Sequence, residues 1–476
     1  MRSLQTLAVR ALQPLHRVYR RARPALRAQV AAYDAGMRFR ASAESWTDDA
    51  RRAWMLQRLR DVVRTAAKDV PYYRELFRST GFDAAADFSF DDYARLPVLE
   101  RGDIQRAGRA LCSEAVDPST LRRDATGGSS GTPTELWKGP EERGWGESAL
   151  DYTVRRVGVQ PGSRTALLWG HHLDPTARGS VRERLQDALQ NMRWFESLRL
   201  SPEVLRGYHR ELEAWRPTLL LAYSSALAAL AEELDRAGMR PGYPECCFVT
   251  GAEKVYAHQR ELITRVFGKP LHERYGGRDV GVIGIQLDPA RSLSFWVDWS
   301  NVLVEPETTP HGGAPASVLI TKLHADGMPM LRYRVGDEAR FPEGSRPGHP
   351  ALSLDEVVGR EADRISLPSG GWVHGLEFPH MLKDFPVRDY RVHQRADASV
   401  TVSVVALDDF SASHRARLLE LLRANMPGLP VSVELVDAIP RTRANKWRPV
   451  VSDVTGSAAT AVTTERAPAG VTGVDA

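Results

Sequence analysis

A loop rich in glycine and hydroxyl side chains is the first part of this sequence that could do chemistry. The segment 124–134 reads DATGGSSGTPT, with three glycines and four hydroxyl residues in its first nine positions. Backbone N–H groups in such a loop can approach phosphate oxygens closely, and hydroxyl groups supply further donors. A Walker A loop would end in Gly-Lys-Ser or Gly-Lys-Thr, but this one continues as Gly131-Thr132-Pro133. The segment therefore predicts either a different kind of phosphate-binding loop or a linker.

Two further segments combine glycine with aromatic or acidic side chains behind predicted strands. The segment 249–253 reads VTGAE, and 273–279 reads ERYGGRD. In parallel α/β sheets, ligands bind outside the carboxyl ends of the strands. A glycine turn, an aromatic ring that stacks on a base and a carboxylate that holds Mg²⁺ would suit a nucleotide. Each segment alone is equally compatible with an ordinary loop.

Three more segments complete the candidates. The segment 328–337 reads MPMLRYRVGD and is predicted as a strand that ends in Gly-Asp, where the Asp337 carboxylate could accept hydrogen bonds from both ribose hydroxyls. Gly359 and Arg360 lie where the character of the sequence changes. The segment 440–446 reads PRTRANK, and its Lys446, taken alone, is most simply a solvated loop lysine.

The periodicity of the chain predicts the elements that would position these segments. Between residues 165 and 284, short apolar runs typical of strands alternate with helical stretches. The predictions are strand 165–169, helix 203–215, strand 219–223, helix 225–237, strand 245–250 and helix 258–267. This alternation is typical of an α/β domain with a largely parallel sheet.

The remaining patterns predict how the chain is divided. The segment 1–45 is a basic helical segment, with nine arginines and one acidic residue in its first 40 positions. Packing on the protein's own surface or on a partner is favoured over a membrane-interface helix or a segment that mimics a transit peptide. A large α/β domain at 46–358 includes an antiparallel or barrel-like β portion at 294–341. A small α+β domain at 359–454 has strands 391–395, 400–405 and 431–435 and helix 412–425. The segment 455–476 is predicted to be a disordered tail.

The composition is that of a globular protein and excludes several classes. Of the 476 residues, 42% are hydrophobic and 26% are charged. A chain of this length is too long for one ordinary core. A net charge of +4 is small for this length, so nucleic-acid binding is not predicted. The longest apolar run, at 219–230, is too short for a transmembrane helix. Three cysteines favour a reducing, cytoplasmic setting, and the oligomeric state is left open.

Taken together, the six segments resemble the adenylate-forming superfamily, and within it the phenylacetate–CoA ligase and CapK-like branch. Five motifs carry the resemblance: 126–133 (TGGSSGTP), 275–279 (YGGRD), 332–337 (RYRVGD), 70–74 (VPYYR) and 96–99 (LPVL). Their combination is far more specific than any single motif, and it spans about residues 45–453. The resemblance implies a large N-terminal domain and a small mobile lid domain that close over ATP and a carboxylic acid. The acid would attack the α-phosphate, pyrophosphate would leave, and an acyl-adenylate would remain for a second acceptor.

The resemblance also assigns roles to residues. The β- and γ-phosphates would be held by the loop residues Thr126, Gly127, Gly128, Ser129, Ser130, Gly131 and Thr132. Binding of the adenine and ribose would involve Ala252, Glu253, Glu273, Tyr275, Gly276, Asp337 and Arg360. The Asp279 carboxylate would help to bind Mg²⁺, and Lys446 would bridge the acyl carboxylate and the phosphate during adenylation.

Several points stay open at the level of sequence. Candidate lining of the acid pocket comes from Trp169, His171, His172, Tyr223 and Gly277, although the histidines could simply cap a strand. Coenzyme A is the default acceptor, with a carrier protein or a small amine as alternatives. The rival functions are adenylyl transfer to an acceptor and a catalytically silent nucleotide-binding scaffold.

Three positions depart from the family pattern. Ala362 stands where the family usually has an Asp or Lys at the hinge between the domains, and Asn445 replaces the glycine before the lysine. Asp279 replaces a longer Glu, which moves the carboxylate back by one methylene.

Overall fold

The computed structural model describes residues 26–125, 134–169, 187–197, 200–360, 364–368, 372–374, 377–382, 384–439 and 449–454. Several predicted residues and segments lie outside the described residues: 1–25, the loop 126–132, His171, His172, Ala362, Asn445, Lys446 and 455–476. Their predicted roles stay predictions.

Helices and strands both occur throughout the described residues. The helices are α1 (Arg27–Ser42), α2 (Asp48–Asp69), α3 (Pro71–Thr80), α4 (Phe90–Tyr93), α5 (Arg101–Ala107), α6 (Pro140–Arg156), α7 (Pro202–Trp215), α8 (Ser224–Arg236), α9 (Ala257–Phe267), α10 (Glu377–Leu382) and α11 (Ala412–Asn425). The first strands are β1 (Arg122–Ala125), β2 (Glu135–Lys138), β3 (Thr165–Trp169), β4 (Met192–Glu196), β5 (Leu219–Ala222), β6 (Cys247–Thr250), β7 (Leu271–Gly277), β8 (Gly281–Gln286), β9 (Phe295–Val297) and β10 (Val302–Pro306). The later strands are β11 (Ala316–Lys322), β12 (Tyr333–Arg340), β13 (Ser353–Leu354), β14 (Glu356–Arg360), β15 (Arg364–Ser366), β16 (Trp372–His374), β17 (Val387–Gln394), β18 (Val400–Ala406), β19 (Val431–Leu435) and β20 (Val450–Ser452).

The chain divides into two compact units, and the division falls between Val358 and Gly359. The first unit is built around an eight-stranded sheet in the order β13-β9-β8-β7-β6-β5-β3-β4. Strands β4, β3, β5, β6 and β7 are parallel neighbours, whereas β8, β9 and β13 continue the sheet in antiparallel fashion. The predicted α/β class with a parallel sheet is therefore confirmed.

The parallel strands are apolar on both faces because each face is covered. Leu220 of β5 and Phe248 of β6 pack into a core with α8 and α9. Leu219 and Val249 pack into a second core on the other face, near the end of α6. Strands that are buried on both faces read as continuous apolar runs, which is why the sequence indicates β5 so clearly.

Local signals account for where the helices begin. Helix α7 starts at Pro202, one residue before the predicted start, because Ser201 Oγ accepts a hydrogen bond from Val204 N at 3.3 Å. Helix α8 starts at Ser224, directly after the buried Tyr223. Both helices run back along the sheet, as the crossover between parallel strands requires.

A second sheet of the first unit has the order β10-β11-β12-β14. Strands β10 and β11 pair antiparallel, as do β11 and β12. Its apolar face shares one core with α2 and α3, to which Met55, Leu59, Val304 and Ile320 all belong. The sequence predicts an antiparallel or barrel-like arrangement for residues 294–341, and β10, β11 and β12 pair in the antiparallel manner.

Helix α1 packs closely along α6. A Cβ at Gly144 would lie 2.3 Å from Gln29 O, and one at Gly36 would lie 2.3 Å from Ser148 Oγ, so both glycines are needed for the contact. Arg40 is 3% exposed, and its Nη2 lies 2.9 Å from Asp298 Oδ2. This part of the basic N-terminal segment thus packs on the protein's own helices. Among the described residues, no helix combines the length and apolar character that crossing a membrane requires.

The second unit contains a four-stranded sheet in the order β19-β18-β17-β20. Strands β17 and β18 pair antiparallel, while β18 with β19 and β17 with β20 are parallel. Helix α11 places Leu418 and Leu422 against this sheet. The predicted α+β character of this segment is confirmed, and the bounds of α11 and β19 are those the sequence predicts.

Candidate active site

Aromatic side chains lie at the carboxyl edge of the eight-stranded sheet, where β3 ends at Trp169 and β5 ends at Ala222. Tyr223 follows β5, and its ring stacks on Trp169 with the centroids 4.1 Å apart. Burial, together with the negative charge of Glu253, raises the pKa of the Tyr223 hydroxyl to about 12, so the group is neutral at physiological pH. The two predicted pocket residues therefore form one apolar surface.

The turn after β6 is fixed by hydrogen bonds to its neighbours. Gly251 N donates to Ala222 O at 3.3 Å, and Ala252 has a φ of 67°. The Glu253 carboxylate accepts from Ser225 N at 3.0 Å and from Ser224 Oγ at 3.2 Å, at the start of α8. A negative charge is stabilised at a helix N-terminus. The predicted adenine-flanking residues Ala252 and Glu253 are thus held beside the end of β5.

Glu273 is held by groups on the α9 face of the sheet. It pairs with Arg260 of α9 at 2.5 Å and accepts a hydrogen bond from Val255 N at 3.0 Å. These contacts tie β7 to the segment between β6 and α9. A contact of Glu273 with an adenine amino group stays a prediction.

Tyr275 and Asp337 meet although they are 62 residues apart in the chain. The Tyr275 hydroxyl donates to Asp337 Oδ2 at 3.0 Å. A second pair joins the same segments, because the Tyr333 hydroxyl donates to Asp279 Oδ2 at 3.2 Å. The structure therefore brings together the motifs 275–279 and 332–337, which the sequence suggests only as separate candidates.

Two of the predicted segments differ in secondary structure from the expectation. Residues 273–277 are expected after a strand but lie inside β7, and Asp337 is expected at a strand end but lies inside β12. The cause is cross-strand pairing, since β7 pairs with β8 through a register shift at Tyr275 and Gly276. A Cβ at Gly276 would lie 2.3 Å from Gly281 O, so this close pairing requires glycine.

Gly277 and Asp279 lie in the tight connection that follows. A Cβ at Gly277 would lie 2.3 Å from Asp279 Oδ1, and Asp279 Oδ1 itself accepts a hydrogen bond from Val280 N at 3.1 Å. The missing side chain at Gly277 thus leaves the space that the Asp279 carboxylate occupies.

The described residues before the predicted phosphate loop are tied to this connection. Strands β1 and β2 pair antiparallel up to Ala125 and Glu135, on either side of the loop. Lys138 Nζ lies 3.1 Å from Asp124 Oδ2 and donates to Arg278 O at 2.5 Å, and Arg278 Nη1 donates to Ala125 O at 2.9 Å. Lys138 and Arg278 thus connect the start of the loop to the segment 275–279, and the sequence does not indicate this link.

The described residues contain no group of three or more His, Cys, Asp or Glu side chains that could hold a metal ion. Mg²⁺ usually keeps several waters and binds through one or two carboxylates plus substrate phosphates. The single Asp279 carboxylate fits that mode of binding. The other predicted residue, Arg360, ends β14 and is exposed in the second unit.

Arg274 is a residue that the sequence reasoning does not single out. It lies in β7 between Glu273 and Tyr275, and its Nη2 is 3.6 Å from the position that a Cβ at Gly251 would take. Desolvation lowers the pKa of its guanidinium to about 10, so it stays charged at neutral pH. No property of the sequence distinguishes it from the many other arginines of this chain.

Two curated relatives similar to this chain are phenylacetate–coenzyme A ligases. The one from Escherichia coli (strain K12) is 22% identical over 429 residues, which cover 85% of this chain and 95% of that protein. The one from Pseudomonas putida is 22% identical over 332 residues, which cover 68% of this chain and 73% of that protein. The motif-based resemblance to the phenylacetate–CoA ligase branch is thereby confirmed. No family model matches the chain.

Solved structures with the same fold include 2-hydroxyisobutyryl-CoA ligase. In its postadenylation state with 2-HIB-AMP, that ligase matches with a TM-score of 0.68 at 18% identity, covering 86% of this chain and 90% of that chain. In its thioesterification state with 2-HIB-AMP and CoA, it matches with a TM-score of 0.55 at 19% identity, covering 86% and 91%. The fold of this chain is therefore that of 2-hydroxyisobutyryl-CoA ligase.

Proposed function

We propose that this chain is an ATP-dependent ligase that activates a carboxylic acid as an acyl-adenylate and passes the acyl group to coenzyme A. Its curated relatives are phenylacetate–coenzyme A ligases. Its fold is that of a ligase whose structures hold an acyl-adenylate, in two cases together with CoA. The reaction releases pyrophosphate in the first step and AMP in the second.

The hydrogen bond between Tyr275 and Asp337 is the observation that carries this proposal. It joins the two side chains that the motifs assign to the adenine and the ribose. A buried aromatic ring offers a stacking face, and a carboxylate can accept hydrogen bonds from two neighbouring hydroxyls. Together they suit a nucleoside better than either residue would alone.

The phosphates of ATP would bind beside these residues. Asp279 is the carboxylate proposed for Mg²⁺, and Tyr333 orients it through the hydrogen bond to Oδ2. Mg²⁺, when bound, offsets negative charge on the phosphates, and this reduces the electrostatic repulsion between the phosphates and the attacking carboxylate. Arg278 and Lys138 would hold the start of the phosphate loop against the same segment.

Coenzyme A is the proposed acceptor, and a carrier protein or a small amine is the alternative. A cytoplasmic setting is proposed from Cys112, Cys246 and Cys247, which are free cysteines. The acid is proposed to bind near Trp169 and Tyr223 at the carboxyl edge of the sheet.

The proposal is tested by pyrophosphate release from ATP and Mg²⁺ across a panel of aryl, fatty, amino and sugar acids. Lys446→Ala is expected to reduce release by about 10²- to 10³-fold, because it removes one cation from the site where charge develops. ATP binding by calorimetry should change little. Lys269→Ala is the matched control, since Lys269 Nζ donates to Glu245 O at the amino end of the sheet and to no other group among the described residues.

Product mass then distinguishes the acceptors. A CoA thioester with free AMP supports the proposed second step, and a product that retains AMP would instead identify an adenylyl transferase. ATP binding without release for any acid, with or without CoA, would favour the silent scaffold. Normal release by Lys446→Ala would contradict the role of that lysine.

A further inference from the structure

Arg274 faces away from the residues that the motifs assign to the nucleotide. Successive side chains of a strand point to opposite faces of the sheet, so Arg274 points away from Glu273 and Tyr275. Its cross-strand partner on β8 is Ile285. Ile285 packs with Val249 on the face of the sheet opposite α9. The position of Arg274 therefore argues against a role in binding the base or the ribose.

The guanidinium lies at the carboxyl edge of the sheet, where β6 ends. Thr250 is paired with Glu273, so the next residue, Gly251, lies beside Arg274. Nη2 and Nε of Arg274 are 3.6 Å and 3.8 Å from the position of a Cβ at Gly251. These are ordinary contact distances, so the guanidinium lies against the end of β6 at Gly251.

The charge of Arg274 lacks a partner among the described residues, where neither a carboxylate nor another hydrogen-bond acceptor contacts the guanidinium. Desolvation is the cause of its lowered pKa, and no negative charge from the described part of the chain compensates it. The neighbouring Arg260, by contrast, pairs with Glu273. Arg274 is half-buried, and a charge partly removed from water without a partner is costly, so its retention suits an anion-binding site.

The acid pocket proposed above is adjacent. Gly251 N is bonded to Ala222 O, and Ala222 is followed by Tyr223, which stacks on Trp169. An apolar aromatic surface and an unpaired cation thus lie along the same edge of the sheet. Such a pair can bind a molecule with an apolar body and an anionic end.

We infer that Arg274 binds a second anionic group of the acid substrate, so that this ligase prefers acids with a further carboxylate or equivalent anion. The inference rests on the proposed function, since it concerns which acid that site activates. A guanidinium binds a carboxylate through two parallel hydrogen bonds, which gives both affinity and orientation. The bound anion would supply the negative charge that compensates the guanidinium, which no carboxylate among the described residues does.

Matched pairs of acids test this inference. Succinate, glutarate and terephthalate are compared with succinamate, glutaramate and 4-carbamoylbenzoate, in which one carboxylate is replaced by a carboxamide. For wild type, kcat/KM for pyrophosphate release should favour the diacid of at least one pair by about 30-fold or more. Arg274→Met should abolish that preference, and Arg274→Lys should retain part of it.

Arg164→Met is the matched control for loss of an arginine. Arg164 precedes β3 at the amino end of the same sheet and pairs with Glu245 at 3.0 Å, so this variant should keep the preference. Thermal unfolding of Arg274→Met should occur at an unchanged or higher temperature, because the variant removes an uncompensated charge. That readout separates a ligand-binding arginine from one that holds the fold.

The outcomes separate this inference from the proposed function. Release without preference for any diacid, or an equal loss for both members of a pair in Arg274→Met, overturns the inference and leaves the ligase function standing. Calorimetric binding of a diacid that depends on Arg274, without release of pyrophosphate, retains the anion site and rejects adenylation. The absence of both binding and release for every diacid overturns the inference.

Discussion

Arginine side chains have carboxylate partners in one region of the first unit, whereas in another region one arginine lacks such a partner in the part of the chain that the structure describes. In the interior, Arg40 and Arg332 are 3% and 4% exposed, and they pair with Asp298 and Glu305. At the carboxyl edge of the sheet, Arg274 meets no carboxylate among the described residues. A compensated buried charge joins elements of the fold, whereas an uncompensated one at a strand end is suited to a ligand.

The interior pairs connect segments that are far apart in the chain. Arg332 bonds to Glu305 and also donates to the carbonyl oxygens of Ala94 and Leu96. Arg40 joins α1 to Asp298 and donates to Ser148 Oγ of α6 at 2.7 Å. These side chains have all the partners they need within the protein, so neither is expected to act on a substrate.

The largest expected effect comes from breaking an interior pair. Arg40→Met should lower the free energy of unfolding by about 3–5 kcal/mol, because it leaves Asp298 buried without its counter-charge. Urea unfolding measures the change. Arg52→Met is the matched control, since Arg52 lies on the exposed side of α2 and should change stability by less than about 0.5 kcal/mol. A similar small effect of both variants would remove the distinction between the two regions.

A pH-dependent effect of intermediate size is expected at a neighbouring interior residue. Burial lowers the pKa of His324 to about 4, while its ring stacks on Trp145 with centroids 3.5 Å apart and its Nε2 donates to Ser300 O at 3.0 Å. The unfolded state has the ordinary pKa near 6.5 and therefore binds more protons between about pH 6.5 and pH 4. Stability should accordingly fall by roughly 2 kcal/mol from pH 7 to pH 5 and should not depend on this group above pH 7.

Urea unfolding at several pH values tests the His324 prediction. His324→Gln should be less stable at neutral pH but should lose most of the slope between pH 7 and pH 5. An unchanged slope would assign the pH dependence to other groups. Because His324 lies in the interior and away from the candidate site, the KM for ATP should not change with pH in parallel with the stability.

The smallest of these effects should appear in function. Tyr275→Phe removes the hydrogen bond to the Asp337 carboxylate, and it should raise the KM for ATP about tenfold or more while the unfolding temperature changes little. Tyr33→Phe is the matched control, because the Tyr33 hydroxyl donates to the Asp151 carboxylate outside the site. A loss of stability in Tyr275→Phe without any change in KM would make this hydrogen bond an interior contact like those of Arg40.

Elements that depend on local pattern were predictable from the sequence. Helix Ala412–Asn425 and strand Val431–Leu435 have the predicted bounds, because apolar spacing and turn residues define them locally. Strand β7 was harder, since its end, with Gly276 and Gly277, reads as a loop. It is a strand because β8 pairs with it, and that pairing is a tertiary contact.

The candidate site divides in the same way. The types of its residues were visible in the motifs, including Tyr275, Asp279 and Asp337, because the chemistry of nucleotide binding restricts which side chains can serve. Their pairing was not visible, since a hydrogen bond between residues 62 positions apart depends on how β7 and β12 are placed. Arg40 lies in the basic segment that the sequence predicts to pack on the protein, but its burial against Asp298 could not be predicted from the sequence.

The sequence by itself determined the fold class, the resemblance to adenylate-forming ligases and the residue types proposed for ATP. The tertiary structure alone decided which charges are compensated. Compensation depends on neighbours that come from distant parts of the chain and on how much water they exclude, and neither quantity is encoded in local spacing. For that reason Arg274 looks like any other arginine in the sequence, and only its surroundings distinguish it as a residue suited to bind an anion.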